Sequence, residues 1–251
     1  LNGRPFGPET SIDPDEIPAA QRYSTSGAAS AIVQLARSDN GAAVMIASEL
    51  GISRARNCIA KLTGTSPVES ELIAIGAGKG MELSPLEVAL AYTIFANNGV
   101  KLAPKAIWAV YDGEKRLEAP ELKRNGIVSA ESALAVTRML QAVVGDGANG
   151  KYGTARMARR LSGLDATVPL AGKTGTDDHN LWFVAFTRRI VVVVWIGFDN
   201  NFPRFEMEKG FSGGGLPLQI WAAFMRSAKR YRPDFLAGGI RNAIGREGAN
   251  D

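Results

Sequence analysis

The sequence predicts an α/β fold of the α+β type, in which an antiparallel sheet is flanked by helices. Two observations lead to this prediction. Apolar residues recur at helical spacing in residues 28–37 and again in residues 41–50. Three strand-like segments, residues 168–172, 181–187 and 190–198, follow one another late in the chain with short connections. Consecutive strands joined by short turns pair antiparallel, so these segments should form a meander.

The composition is that of a globular protein. The 251 residues are 45% hydrophobic and carry a formal net charge of +4, which suits one large domain with its own core and excludes disorder as the main state. The basic residues are scattered and the four tryptophans lie in apolar runs. This favours core packing and argues against a nucleic-acid surface. The longest apolar run, residues 190–196, is too short to span a bilayer.

The single cysteine and the single histidine narrow the chemistry. One thiol cannot form an internal disulfide or a cysteine metal cluster, and we expect Cys58 to be a buried, inert residue. A lone histidine removes most dyads and triads built on imidazole, unless His179 is itself the base. The sequence therefore predicts neither a cofactor nor a metal site.

Changes in composition divide the chain into three parts. Residues 1–23 are rich in Pro, Gly and acidic groups and are predicted to form an irregular arm. Residues 24–232 hold the periodic segments and should form the domain, and residues 233–251 are predicted to be a disordered tail. The first residue is Leu and no targeting segment is visible, so we expect an excised or processed segment of a longer protein.

Local signals define the remaining elements. Ser84, Pro85 and Glu87 form an N-cap, first-turn proline and capping-box pattern that predicts a helix over residues 85–97. Further elements are expected as a strand at 103–111 turning at Asp112-Gly113, a helix at 129–144, and a helix at 218–231.

A polar tetrad, Lys173-Thr174-Gly175-Thr176, stands at the end of the first late strand and before the second. The lysine offers a positive charge and the threonines offer hydrogen bonds to a carboxylate, while the glycine leaves room for a peptide against the strand. Alone, the tetrad could also be a solvated turn. A phosphate-binding loop is excluded, because it would need Gly at Thr167 and a helix after the lysine.

A second polar motif, Ser38-Asp39-Asn40, lies on the predicted connection between two helices. Its hydroxyl can relay a proton, and its amide can both donate and accept hydrogen bonds. Taken alone, the tripeptide could equally be an N-cap for the helix that begins near Gly41.

The two motifs together, in this order, resemble the Ser-Asp-Asn and Lys-Thr-Gly motifs of class A β-lactamases and penicillin-binding proteins. Further stretches resemble the transpeptidase domain of the bifunctional, class A penicillin-binding proteins, and the resemblance covers residues 25–230. These stretches are Leu83–Ala89 with Tyr92, residues 95–99, 171–176, 182–187, 194–197, 213–215 and 220–225. A β-lactamase fits less well, since no matching deacylation glutamate stands out.

The resemblance implies a β-lactamase/transpeptidase-like fold and a serine-type D-Ala-D-Ala transpeptidase that cross-links peptidoglycan stem peptides. By the same resemblance, Ser38 relays a proton, Asn40 holds the substrate amide, and Lys173, Thr174, Gly175 and Thr176 bind the terminal carboxylate. It further implies β-lactam antibiotics as ligands and a membrane-anchored parent working in the periplasm, at the outer face of the bacterial inner membrane.

One element of the family pattern is absent. No serine in the 251 residues is followed by a lysine three positions later, so the Ser-x-x-Lys nucleophile motif is missing. In the family this motif lies upstream of the Ser-x-Asn loop, and we expect that the chain starts after it. On this interpretation the chain alone is inactive, and the alternative is a non-catalytic relative that serves as a binding or scaffold domain.

Overall fold

A computed structural model describes residues 6–107, 109–117, 123–198 and 207–232. Its α-helices are α1 (Pro18–Gln21), α2 (Ala31–Arg37), α3 (Asn40–Leu50), α4 (Ile52–Thr63), α5 (Pro85–Ala96), α6 (Ala130–Val143), α7 (Ala158–Ser162) and α8 (Leu216–Tyr231). Its strands are β1 (Ser11–Ile12), β2 (Ala29–Ser30), β3 (Val100–Leu102), β4 (Val110–Asp112), β5 (Lys115–Leu117), β6 (Arg124–Gly126), β7 (Ala171–Thr176), β8 (Asn180–Phe186) and β9 (Val191–Gly197). Three 3₁₀ turns span Pro14–Glu16, Glu71–Ile75 and Gly150–Tyr152.

The central sheet has the strand order β7-β8-β9, and both pairings are antiparallel, with Lys173 opposite Val184 and Val184 opposite Val193. Helix α8 covers one face, where Trp221 packs edge-on against Phe183 at a centroid distance of 5.3 Å. Helices α5 and α6 cover the other face around Phe186. The predicted antiparallel sheet flanked by helices is therefore confirmed.

Most predicted helices are confirmed within two residues at each end. Helix α5 begins with the complete capping box, in which the Ser84 and Glu87 side chains each accept from the other residue's backbone N–H. Helix α8 begins two residues earlier than predicted because Pro217 stands in its first turn, where a proline is tolerated.

Three predictions of local structure are wrong. Among the described residues of the strand expected at 103–111, only residues 110 and 111 are in a strand, β4, and Pro104 cannot donate a ladder hydrogen bond; the turn after Asp112 is present. The Lys-Thr-Gly-Thr tetrad lies within strand β7, since the strand starts later than predicted and continues to Thr176. Cys58 is exposed, because α4 has no buried residue.

The described part of the predicted N-terminal arm, residues 6–23, carries β1, a 3₁₀ turn and α1. Ile12 and Ala20 lie in a buried cluster with residues of α2 and α3, among them Ala31 and Val44. The segment therefore contributes to the core beside the Ser-Asp-Asn motif. The predicted tail, residues 233–251, lies outside the described residues.

Asp39 ties residues 24–26, which follow this segment, to the turn between α2 and α3. Its Oδ1 caps α3 by accepting from the Ala42 N–H at 2.8 Å, and its Oδ2 accepts from the Thr25 N–H at 3.0 Å and from Ser26 Oγ at 2.9 Å. Gly41 allows the close approach, because a Cβ there would lie 2.6 Å from the Ser24 Cβ. The carboxylate therefore fixes the residues on both sides of it.

The continuous apolar run of β9 is explained by its position, since the strand is packed on both faces. Val192 and Val194 pack toward α8, whereas Val191 lies in the cluster on the opposite face, so the strand is partly covered on both sides. Trp195 is 40% exposed, whereas Trp221 is fully buried, so the expectation that tryptophans lie in the core holds for only one of these two. Among the described residues, β9 pairs with β8 alone.

No helix in the described part of the chain is long and apolar enough to cross a membrane.

Replacing Asp39 is expected to destabilise the chain. Asp39→Ala should lower the free energy of unfolding by about 2–4 kcal/mol, because it removes a helix cap and leaves several donors unpaired. Asp39→Asn keeps an acceptor for the Ala42 N–H and should cost less. Urea unfolding at pH 7 measures both, and equal losses would contradict the assigned role of Oδ1 as the cap of α3.

The same carboxylate should make stability depend on acid. Burial raises the pKa of Asp39, but hydrogen bonds from Ala42, Thr25, Ser26 and Ser24 outweigh it and lower the pKa below its ordinary value of 3.8. The stabilisation is then complete above about pH 4 and is lost as the pH falls through the lowered pKa. The advantage of the wild type over Asp39→Asn should shrink in that range.

The edge of β9 that pairs with no described strand is expected to promote self-association. An unpaired apolar strand edge is a template for pairing with another copy. Trp195→Lys places a charge on this strand and should reduce light scattering by the purified chain, whereas Val110→Lys, which changes an apolar residue 46% exposed on β4, should not. A wild-type chain that stays monomeric at all concentrations would contradict this.

Candidate active site

Ser38 stands directly after α2 in the left-handed region, with φ 60° and ψ 43°. Its N–H donates to the Leu35 carbonyl at 3.0 Å and closes the helix. This position usually holds glycine, since a side chain here costs about 1–2 kcal/mol. The neighbouring Asp39 is fixed by its own hydrogen bonds to Ala42 and Thr25, and the Ser38 hydroxyl contacts Lys173 of the sheet.

Lys173 reaches this hydroxyl from strand β7. Its Nζ donates to Ser38 Oγ at 2.6 Å and to the Thr174 carbonyl at 2.9 Å. Burial lowers the pKa of Lys173 from 10.5 to about 8, because the ammonium has lost most of its hydration. The two motifs, 135 residues apart in sequence, therefore meet through a partly desolvated amine.

A groove of about 350 Å³ opens above this contact. It is lined by Ser38, Asn40, Thr154, Thr174, Thr176, Ser212 and Gly214. Four of the six sequence-predicted site residues line it, and Lys173 reaches one of these four, Ser38, from within the protein. Gly175 is not among the lining residues. A Cβ added there would lie 3.1 Å from the Trp182 Cβ, so its missing side chain accommodates strand β8.

Three lining residues, Thr154, Ser212 and Gly214, belong to neither motif. Thr154 Oγ1 lies 2.8 Å from Thr174 Oγ1, and the loop that carries Ser212 is attached to β7 by the Gly213 N–H, which donates to Thr176 Oγ1 at 3.0 Å. The glycine clusters beside these residues were a usable signal, because glycines without turn chemistry often mark close backbone approaches.

The groove is rich in hydrogen-bond donors. Its lining consists of hydroxyls, one amide and a glycine, with no carboxylate, and the Lys173 ammonium lies behind Ser38. A site of this kind can bind a carboxylate or a peptide carbonyl and can pass a proton between Lys173 and Ser38. A larger cavity of about 540 Å³ near Ser84 and Trp195 lacks such a convergence of donors, so the smaller groove is the candidate site.

Comparison with known proteins identifies the family. A family model described as the penicillin binding protein transpeptidase domain matches residues 20–201, which is more than half of the chain. A crystal structure of penicillin-binding protein 1A from Haemophilus influenzae superposes with a TM-score of 0.72 at 22% identity, over 83% of this chain and 35% of that one. Penicillin-binding protein 3 of Mycobacterium tuberculosis, in a complex with aztreonam, gives a TM-score of 0.62 at 19% identity, over 90% of this chain and 59% of that chain.

Curated relatives agree with this. Penicillin-binding protein 1A of Neisseria lactamica is 34% identical over 210 residues, which is 79% of this chain and 24% of the relative. Penicillin-binding protein 1A of Aquifex aeolicus is 34% identical over 210 residues, covering 80% of this chain and 26% of the relative. The chain thus spans about a quarter of the length of these relatives. It belongs to the penicillin-binding protein transpeptidase domain family and is similar to penicillin-binding protein 1A.

Proposed function

We propose that this chain provides the substrate-binding side of a D,D-transpeptidase, which cross-links peptidoglycan stem peptides through an acyl-serine intermediate. The observation that carries the proposal is the 2.6 Å contact of Lys173 Nζ with Ser38 Oγ beside a groove lined by hydrogen-bond donors. Family membership supports the reaction class. The residue roles rest on this geometry and on the family motifs.

In the proposed complex, the acyl donor is a stem peptide that ends in D-Ala-D-Ala. The Lys173 ammonium and the hydroxyls of Thr174 and Thr176 bind its terminal carboxylate, while Gly175 leaves the strand free of side-chain bulk. Asn40 binds the amide of the donor peptide, and the Thr176 N–H supplies half of an oxyanion hole. Such donors stabilise the negative charge that develops on the attacked carbonyl oxygen.

Proton transfer is the second proposed role of the contact. A serine outside this chain gives its proton to the lysine of its Ser-x-x-Lys motif, its oxygen attacks the penultimate D-Ala carbonyl to form an ester bond, and the C–N bond to the last D-Ala breaks. The Ser38 hydroxyl gives its proton to the leaving amine and takes one from Lys173, whose pKa of about 8 suits transfer near neutral pH. The proton released by the attacking serine then restores the charge of Lys173. An amine of a neighbouring peptide then attacks the ester and releases the serine.

The nucleophile of this scheme lies outside the 251 residues, which contain no Ser-x-x-Lys. The same observation favours the second candidate, a non-catalytic domain that binds stem peptides without acylation. β-Lactams are proposed as ligands in the first case, in agreement with the aztreonam complex of the Mycobacterium tuberculosis protein. We further propose a membrane-anchored parent that acts in the periplasm, at the outer face of the inner membrane.

Labelling with a fluorescent penicillin tests the proposal. The 251-residue chain is expected to remain unlabelled after denaturing electrophoresis, because no activated serine is present. A chimaera that places the segment preceding the matched region of the Neisseria lactamica protein before this chain should form a covalent adduct. Ser38→Ala and Lys173→Ala in the chimaera should each slow labelling on the order of 100-fold.

Ser53→Ala, an exposed position in α4, is the matched control and should label at the wild-type rate. A labelled band from the unextended chain would mean that another residue is the nucleophile. A folded chimaera that remains unlabelled would favour the non-catalytic alternative.

A further inference from the structure

Thr154 has a place in the groove that neither motif accounts for. It is exposed, whereas its hydrogen-bond partner Thr174 is only 9% exposed. The two hydroxyl oxygens lie 2.8 Å apart, and either can be the donor. Thr154 therefore stands between a buried hydroxyl of the Lys-Thr-Gly-Thr strand and the open groove.

The Thr154–Thr174 pair has one hydroxyl proton that is not used in the hydrogen bond between the two side chains. Each threonine hydroxyl carries one proton and can accept two hydrogen bonds. One of the two protons is used in the contact between the hydroxyls, so the other is free to point into the groove. When Thr174 donates to Thr154, the free proton belongs to Thr154, the more exposed of the two.

The backbone holds Thr154 in position from two sides. Its N–H donates to the carbonyl of Ala36, two residues before the Ser-Asp-Asn motif, at 3.2 Å. On the other side, a Cβ at Gly214 would lie 2.5 Å from the Thr154 carbonyl oxygen, so only glycine permits this contact. Thr154 thereby links α2, strand β7 and the loop before α8, and its hydroxyl needs no rearrangement to meet a ligand.

We propose that Thr154 is a substrate-binding residue, whose hydroxyl, paired with Thr174, donates a hydrogen bond to the terminal carboxylate of the acyl-donor peptide. A carboxylate is the appropriate acceptor, since the lining of the groove contains no acidic side chain and the Lys173 ammonium lies close by. The inference rests on the proposed function, because it assigns a further contact to the same ligand.

The test compares two peptides and three variants. The peptides end in D-Ala-D-Ala with a free carboxylate or with a C-terminal amide, and NMR titration follows binding at a chain concentration at which light scattering shows a monomer. Thr154→Val is nearly isosteric and removes the hydroxyl, and it should weaken binding of the free acid about tenfold. Binding of the amide should change little.

Two further variants separate the hydroxyl from packing. Thr154→Ser keeps the hydroxyl and should retain the affinity of the wild type. Thr137→Val removes a hydroxyl that is bonded to the Ala133 carbonyl within α6 and should leave binding unchanged.

The outcomes distinguish this inference from the function on which it rests. A wild-type chain that binds neither peptide, or binds the acid and the amide equally, would contradict the proposed function and this inference together. A wild-type chain that prefers the acid, with Thr154→Val binding it as tightly as Thr137→Val does, would overturn the inference alone. A loss for Thr154→Ser equal to that for Thr154→Val would also overturn it, because packing would then be responsible.

Discussion

The contact between the Lys173 amine and the Ser38 hydroxyl is the interaction on which the rest of the site depends. It joins the helical part of the chain to the central sheet, and each partner is constrained before they meet. Ser38 occupies a left-handed helix end that Asp39 holds in place, and Lys173 belongs to a strand paired along its length with β8. A desolvated ammonium requires such a partner, because an unpaired one would be costly to bury. The groove therefore exists only when both layers are assembled.

Local signals in the sequence were sufficient to predict an element when the residues of that one segment determine its structure. The capping box of Ser84 and Glu87 fixes the start of α5, and the last two apolar runs are the strands β8 and β9. Predictions from the sequence were wrong where contacts with other segments determine burial or the ends of a strand. Periodicity does not reveal that α4 leaves Cys58 exposed, and the tetrad was predicted to follow a strand because its polar residues hide the extended backbone of β7.

The site was predictable to the extent that short motifs encode it. Ser38, Asn40, Thr174 and Thr176 come from two motifs that the groove brings together. Thr154 was not predicted, because it belongs to no short motif and its neighbours in sequence do not line the groove. Its partners come from α2, β7 and the loop before α8, and only the tertiary structure brings these segments together. The glycine at position 214, which the close approach of the Thr154 carbonyl requires, is the one sign of this packing that is visible in the sequence.

The role of the Ser38–Lys173 contact is tested most directly by the pKa of the Lys173 amine in the folded chain. NMR of the selectively labelled lysine side chain measures this pKa. A pKa of about 8 is expected, because burial beside Ser38 disfavours the charged form of the amine. A titration midpoint near 10.5, the ordinary value for lysine, would show a hydrated amine. In that case the Ser38–Lys173 contact would not be the centre of the site.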